Sequence, residues 1–76
     1  MSKLPVISWQ ECVDALINAG FVVVREEGHI ILRRSDPPPA KTIPVPKHKE
    51  LKKGTLRGII RQAGLSVEEF MELLDQ

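Results

Sequence analysis

Apolar and polar residues alternate with the period of an amphipathic helix over residues 8–19. The apolar side of this predicted helix consists of Trp9, Cys12, Val13, Leu16 and Ile17. Ser8 and Glu11 are spaced as a capping box, which marks the helix start. Gly20 follows the last turn, where a residue without a Cβ adopts positive φ at little cost. The pattern therefore predicts a helix with a defined beginning and a defined end.

Three segments with the composition of β-strands follow this helix. Residues 21–25 and 29–34 are rich in aromatic and β-branched side chains and are separated by Glu-Glu-Gly, which predicts a hairpin. A proline-rich loop at 35–40 leads to a third extended segment at 41–46. Pro44 and Pro46 lack N–H groups on the same side of that segment, so we expect it to be an edge strand.

Two helical patterns end the sequence. Thr55 is the predicted N-cap of a helix that runs to residue 63, with Gly64 after it. The apolar stripe of that helix is Leu56, Ile59, Ile60 and Ala63. Ser66 and Glu69 form a second capping box, before a helix whose apolar residues are Val67, Phe70, Met71, Leu73 and Leu74. Trp9, Phe21 and Phe70 are all expected in the core.

The order α-β-β-β-α-α predicts one domain over residues 1–76. We expect a two-layer α+β fold, in which helices cover one face of a three-stranded antiparallel sheet. A content of 42% hydrophobic and 28% charged residues argues against intrinsic disorder. The longest apolar runs, 21–24 and 30–32, are far shorter than the ~18 residues of a membrane span. With no apolar segment typical of a signal peptide after Lys3, and a single cysteine, the expected location is the cytoplasm.

The formal net charge of +1 conceals three blocks of different sign. Residues 1–28 carry a net −2, residues 29–66 carry nine basic against two acidic residues, and residues 67–76 carry a net −4. The middle block, at +7, indicates an anionic partner. Such asymmetry is more informative about partners than the sum of the charges.

His29 is the first candidate for chemistry, because it stands beside the Gly28 turn at the entry to the second strand. The two-residue period puts His29, Ile31 and Arg33 on one face and the apolar pair Ile30 and Leu32 on the other. The apolar pair should face the helices, which leaves the histidine on the open face near an arginine. Histidine suits proton transfer near neutral pH. A solvated hairpin histidine with no chemical role is the alternative.

The second candidate is the basic segment from residue 47 to residue 61. Lys53, Arg57 and Arg61 recur every four residues, so they line the side of the helix opposite its apolar stripe. The N–H groups of the helix start at Thr55 add an attraction for anions. The loop before the helix contributes Lys47, Lys49 and Lys52. Phosphates are the natural ligands, and an ordinary solvated face is the alternative.

His48 lies within the basic loop and is expected either to contact a phosphate or to serve as a turn residue. Cys12, His29 and His48 have no metal-ligand spacing, and the sequence contains no phosphate-binding loop or dinucleotide fingerprint. We therefore expect no metal and no cofactor. With few aromatic side chains available for stacking, recognition of RNA should favour backbone and shape.

Residues 4–74 resemble the HicA (YcfA-like) mRNA interferase family, the toxins of HicA–HicB toxin–antitoxin systems. The resemblance rests on Ala19-Gly20-Phe21, Gly28-His29, Glu50-Leu51-Lys52-Lys53-Gly54-Thr55-Leu56 and Arg61-Gln62-Ala63-Gly64-Leu65. It implies a fold like a double-stranded-RNA-binding domain, cleavage of mRNA and a HicB-like antitoxin as partner. The family's catalytic histidine corresponds to His29, although family members commonly have one residue between the glycine and the histidine.

Together these observations predict a metal-independent endoribonuclease toxin. The 2′-hydroxyl of RNA would attack the adjacent phosphate, with His29 as general acid or base. Arg33, His48 and the lysines and arginines of residues 47–61 would hold phosphates. The alternative is a non-catalytic RNA-binding module or a degenerate toxin that acts as a regulator, because the short Gly28-His29 turn can change the register of the strand. A third possibility, compatible with the first, is that an acidic protein partner binds the basic face.

Overall fold

A computed structural model of the chain describes residues 4–36 and 38–75. Pro37 of the predicted loop at 35–40, and Lys3 of the first charge block, lie outside these residues. The elements are α1 (Trp9–Asn18), β1 (Val22–Arg25), β2 (Ile30–Arg34), β3 (Lys41–Val45), α2 (Lys53–Gln62) and α3 (Val67–Leu74). This α-β-β-β-α-α order confirms the predicted α+β fold and is consistent with a double-stranded-RNA-binding-domain-like fold.

The sheet is antiparallel with the strand order β1-β2-β3, so β3 is the edge strand that its prolines predicted. Ile30 pairs with Val45, and Leu32 pairs with Ile43. These two pairs are buried and face the helices, as the two-residue period requires. The other edge, β1, has a register shift between Val23 and Arg25, and all four of its residues are exposed.

Helix α1 begins at the predicted capping box. The Ser8 N–H donates to Glu11 Oε1 at 3.1 Å, and the Glu11 N–H donates to Ser8 Oγ at 3.2 Å. Gly20 follows the helix with φ +99°, as its position predicted. Two expectations need correction: Ile17 is 46% exposed, and Trp9 is half-buried at the rim of the core. Ile17 lies at the side of the apolar stripe and Trp9 is the first residue of the helix, so neighbouring elements cover only part of each side chain.

The predicted N-cap at Thr55 is wrong, because α2 already begins at Lys53 and its N-cap is Lys52. The cause is tertiary. Leu51 is buried, and its N–H donates to the Ile7 carbonyl at 2.8 Å, which fixes the chain immediately before the helix. Helix propagation can then start directly after this anchor, and Thr55 occupies the first turn instead of the cap.

Helix α3 packs against α1 and α2 and closes the helical layer. Its capping box is present as predicted, with the Ser66 N–H donating to Glu69 Oε1 at 2.9 Å. Asn18 Nδ2 also donates to the Leu73 carbonyl at 3.0 Å, which joins the ends of α1 and α3. Phe70 of α3 and Phe21 before β1 are fully buried, so two of the three aromatics lie in the core as expected.

Candidate functional site

His29 is exposed and directly precedes β2, after a turn in which Gly28 has φ +69°. Extending the pairing of Ile30 with Val45 by one residue puts His29 opposite Pro46. The residues after Pro46 are Lys47 and His48, so the histidine and the start of the basic loop meet at the same end of the sheet. The burial of Ile30 shows that the short turn leaves β2 in the predicted register, with its apolar pair toward the helices.

The basic loop is held in place by its backbone while its polar side chains remain in solvent. The His48 carbonyl accepts from the Trp9 N–H at 3.1 Å, and the His48 N–H donates to the Pro46 carbonyl at 2.8 Å. The Lys47 Nζ lies 6.0 Å from the centroid of the Trp9 ring. Lys49 and Lys52 are exposed. The loop therefore presents cations from a fixed backbone next to the start of α1.

Lys53, Arg57 and Arg61 are all exposed, and Leu56, Ile59 and Ile60 on the other side of α2 are buried. Eight residues separate the two ends of this basic stripe, which corresponds to about 12 Å along the helix axis. The first turn of α2, which includes Thr55, contains no acidic residue, and the N-cap Lys52 makes no side-chain cap bond. Positive side chains and the positive end of the helix dipole thus occur together.

The basic stripe, Lys53, Arg57 and Arg61, is exposed, and α2 itself contains no acidic residue. Elsewhere in the described residues, Arg25 and Glu27 form an exposed ion pair at 4.0 Å. Glu11 and Glu69 accept bonds within their own capping boxes. Because the stripe is exposed and its own helix supplies no carboxylate, its charge is accessible to an external anion.

The structure does not bring all predicted site residues together. Arg33 is exposed on the open face of the sheet, where it pairs with Val22 and Thr42, whereas α2 lies on the opposite, helical face. It is also about 13 Å along the strand from His29. A single ligand that contacts both Arg33 and the basic stripe would have to pass around the edge of the sheet.

Arg34 is a structural residue to which the sequence analysis gave no role. Its Nη1 donates to the Ala19 carbonyl at 3.1 Å, and its guanidinium lies 4.9 Å from the centroid of the Phe21 ring. The last turn of α1 contains no basic residue, so Arg34 supplies the positive charge that stabilises the negative end of the helix dipole. Arg34 follows Ile30 and Leu32 at the two-residue spacing of a strand, so the sequence already indicated that its side chain lies on the helical face of the sheet.

Sequence reasoning also missed a cleft of about 350 Å³ between α2 and the start of α3. Its lining residues are Arg57, Ile60, Arg61, Leu65, Ser66 and Val67. A second cleft of about 210 Å³ shares Leu65 with the first, and its lining also includes Arg34, Glu69 and Glu72. Neither cleft follows from a short sequence motif, because each depends on how α3 packs against its neighbours.

Cys12 is fully buried, and burial raises the pKa of its thiol to about 12. The thiol is therefore protonated at neutral pH and serves as a small apolar side chain of the core. Within residues 4–36 and 38–75, no group of three or more His, Cys, Asp or Glu side chains is arranged to hold a metal ion. No helix in the same residues is long and apolar enough to cross a membrane.

A family model described as the HicA toxin of bacterial toxin–antitoxin matches residues 9–65, which is 57 of the 76 residues. The chain belongs to the HicA toxin family. This membership confirms the resemblance seen in the sequence and gives the chain a toxin role in a toxin–antitoxin pair. The matched HicA range includes His29, the basic loop and all of α2. No curated protein and no solved structure is significantly similar to the chain.

Proposed function

We propose that this HicA-family toxin is an endoribonuclease that cleaves mRNA in the cytoplasm without a metal ion. The observation that carries the proposal is the exposed basic stripe of α2, a helix with no acidic residue of its own, together with an exposed histidine at the same end of the sheet as the basic loop. A polyanionic backbone complements such a surface. Residues 1–76 act as one domain.

In the proposed reaction the 2′-hydroxyl of a ribose attacks the neighbouring phosphorus atom. His29 accepts the hydroxyl proton as the general base, the bond from phosphorus to the 5′-oxygen breaks, and the leaving oxygen takes up a proton from water. The products are a 2′,3′-cyclic phosphate and a 5′-hydroxyl. The exposure of His29 supports this role, because a base must reach the substrate hydroxyl.

The basic residues hold the phosphates and stabilise the negative charge that develops during the attack. Lys47, His48 and Lys49 are on the loop next to the start of β2, where His29 lies, and Lys52 and Lys53 are at the start of α2. The N–H groups of the first turn of α2, up to Thr55, add donors that need no rearrangement. Arg57 and Arg61 extend the contact along the RNA, and Arg33 contacts a more distant phosphate from the open face.

A HicB-like antitoxin is the proposed partner that keeps the toxin inactive. Covering His29 and the basic loop would exclude RNA from the phosphate-binding surface. Since these groups are open to solvent, the antitoxin needs no conformational change in the toxin to reach them.

A ribonuclease assay in EDTA tests the catalytic assignment with wild type, His29→Ala and His48→Ala. We expect His29→Ala to lose roughly 10²–10⁴-fold in cleavage rate, the usual contribution of one acid–base group. We expect His48→Ala to lose less, because it contacts phosphate only. Equal rates for wild type and His29→Ala would remove His29 from the mechanism.

A non-catalytic RNA-binding regulator is the second candidate function. The turn favours it, because Gly28 and His29 are adjacent where the family commonly has a residue between them. Binding of RNA by wild type with no cleavage product under any condition supports this candidate. Induced expression separates the two in cells: growth arrest by wild type but not by His29→Ala requires the catalytic toxin.

A further inference from the structure

The cleft between α2 and α3 combines a cationic wall with an apolar wall. Arg57 and Arg61 form the cationic wall, and both are exposed. The apolar wall consists of Ile60, which is buried, and of Leu65 and Val67, which are half-buried. None of the lining residues is acidic. The cleft therefore suits a ligand that carries negative charge beside a flat apolar body.

A nucleotide has this combination of groups. The guanidinium of arginine binds phosphate through a fixed fork of N–H donors and also stacks on the planes of unpaired RNA bases. Phe21 and Phe70 are buried and Trp9 is half-buried, so within the described residues the arginines are the accessible planar groups near this cleft. A base paired in a duplex is not free to enter such a cleft, whereas an unpaired base is.

We propose that this cleft is a subsite for one unpaired nucleotide of RNA. The base lies between the arginine planes and the aliphatic wall, and its phosphate binds the guanidinium groups. Lys53 continues the same stripe toward the basic loop, so this nucleotide is held away from the bond that His29 would cleave. The inference rests on the proposed function only in taking RNA as the ligand. It adds one base contact to the expectation that recognition favours backbone and shape.

The test measures binding in a His29→Ala background, so that cleavage does not enter the result. The double variant Arg57→Lys with Arg61→Lys keeps both charges but removes both planes. We expect it to bind a single-stranded RNA octamer about fivefold or more weakly, the usual effect of losing base stacking. Its affinity for a matched RNA duplex should change by less than about twofold, because the phosphate charge contacts remain. Arg25→Lys, in β1, is the matched control.

A second measurement uses small probes and NMR amide shifts. Nucleoside 5′-monophosphates should shift the amides of residues 65–67, while ribose 5-phosphate, which has no base, should not. Equal shifts with both probes, or equal losses of single-stranded and duplex RNA in the double variant, would overturn the subsite. Shifts with an acidic, leucine-containing peptide but not with nucleotides would overturn it in favour of a protein ligand.

The proposed nuclease activity can fail without affecting this result. A wild type that cleaves no RNA, with a double variant that still loses single-stranded binding, contradicts the nuclease and supports the subsite. Cleavage that depends on His29, with no base-dependent binding in the cleft, supports the nuclease and contradicts the subsite.

Discussion

Helices α2 and α3 pack against each other, yet their first turns are built in opposite ways. The start of α3 has a serine cap, two acidic residues in the first turn and a complete capping box. The start of α2 has a lysine at the N-cap, no side-chain cap bond and no acidic residue. Helix α2 also contains Gly54 and Gly58, whereas α3 contains no glycine.

The first turn of α3 is built for stability, whereas the first turn of α2 leaves its N–H groups available to a ligand. In α3 the protein's own side chains satisfy the free N–H groups and complement the helix dipole. In α2 these groups and the surrounding lysines are left to solvent or to an anion. A more stable first turn would use the same N–H groups that we expect RNA phosphates to bind.

Giving α2 the capping box of α3 should have the largest effect. Lys52→Ser with Thr55→Glu removes one positive charge, adds one negative charge and fills the first turn. We expect RNA affinity at low salt to fall about tenfold or more, and the dependence of log K on log salt to flatten by at least ~0.7. Stability should rise by about 1 kcal/mol. Filter binding across a salt series, with urea unfolding, measures both. Unchanged affinity would exclude the start of α2 from the RNA interface.

Removing the cap residue should be costly in α3 and nearly neutral in α2. We expect Ser66→Ala to lower the free energy of unfolding by about 1 kcal/mol, because the Glu69 N–H loses its acceptor, Ser66 Oγ, while the bond donated by the backbone N–H of residue 66 remains. Lys52→Ala should change it by less than about 0.5 kcal/mol. Ser8→Ala, in the capping box of α1, is the matched control and should resemble Ser66→Ala in urea unfolding. A large loss in Lys52→Ala would show that α2 has a cap of its own.

Filling a glycine inside α2 should stabilise the protein modestly. A Cβ at Gly58 would meet no heavy atom within 4 Å beyond its chain neighbours and the backbone of its own helix, so Gly58→Ala should raise the free energy of unfolding by about 0.4–1 kcal/mol. Gly64→Ala is the contrasting variant, since Gly64 has φ +74° and a Cβ there would lie 3.0 Å from the Lys41 Nζ. Thermal unfolding should rank Gly58→Ala above wild type and Gly64→Ala below it. The reverse order would contradict the open space at Gly58.

Acid should loosen the start of α3 before that of α2. Hydrogen bonds from the backbone and hydroxyl of Ser66 lower the pKa of the Glu69 carboxyl. Because this pKa is lower in the folded state, the ionised Glu69 cap stabilises the fold at any pH above the ordinary pKa of glutamate. That stabilisation is lost as the pH falls through the lowered pKa of the folded state. Amide exchange between about pH 5 and pH 3 should therefore show earlier opening at residues 66–69 than at 52–55. Glu69→Gln should remove that pH dependence.

Local patterns were sufficient to predict the strands, the sheet edge at β3 and both capping boxes. Each of these depends on neighbours in sequence: a hydroxyl and a carboxylate three residues apart, or prolines two apart on one strand. The start of α2 was mispredicted for the opposite reason. Thr55 is a good cap by residue type, but the buried Leu51 and its bond to Ile7 determine where the helix begins.

The faces on which the candidate site residues lie could be predicted from the sequence, but the cleft that they line could not. The two-residue period placed His29 outside the core, and the four-residue period gathered the basic stripe on one side of α2. The same stripe did not reveal the cleft, because Leu65 and Val67 reach it only through the packing of α3. The two-residue period did place Arg33 on the open face, across the sheet from the helices, because it predicted that Ile30 and Leu32 face them.

Trp9 provides an optical probe of the basic loop. It is the single tryptophan of the chain, it is half-buried, and Lys47 lies above its ring. Its backbone N–H donates a hydrogen bond to the His48 carbonyl, so Trp9 is anchored to the basic loop. An anion that draws Lys47 away from the ring changes the electrostatic field at the indole. Intrinsic fluorescence can therefore follow ligand capture by this small protein in real time, with no label attached.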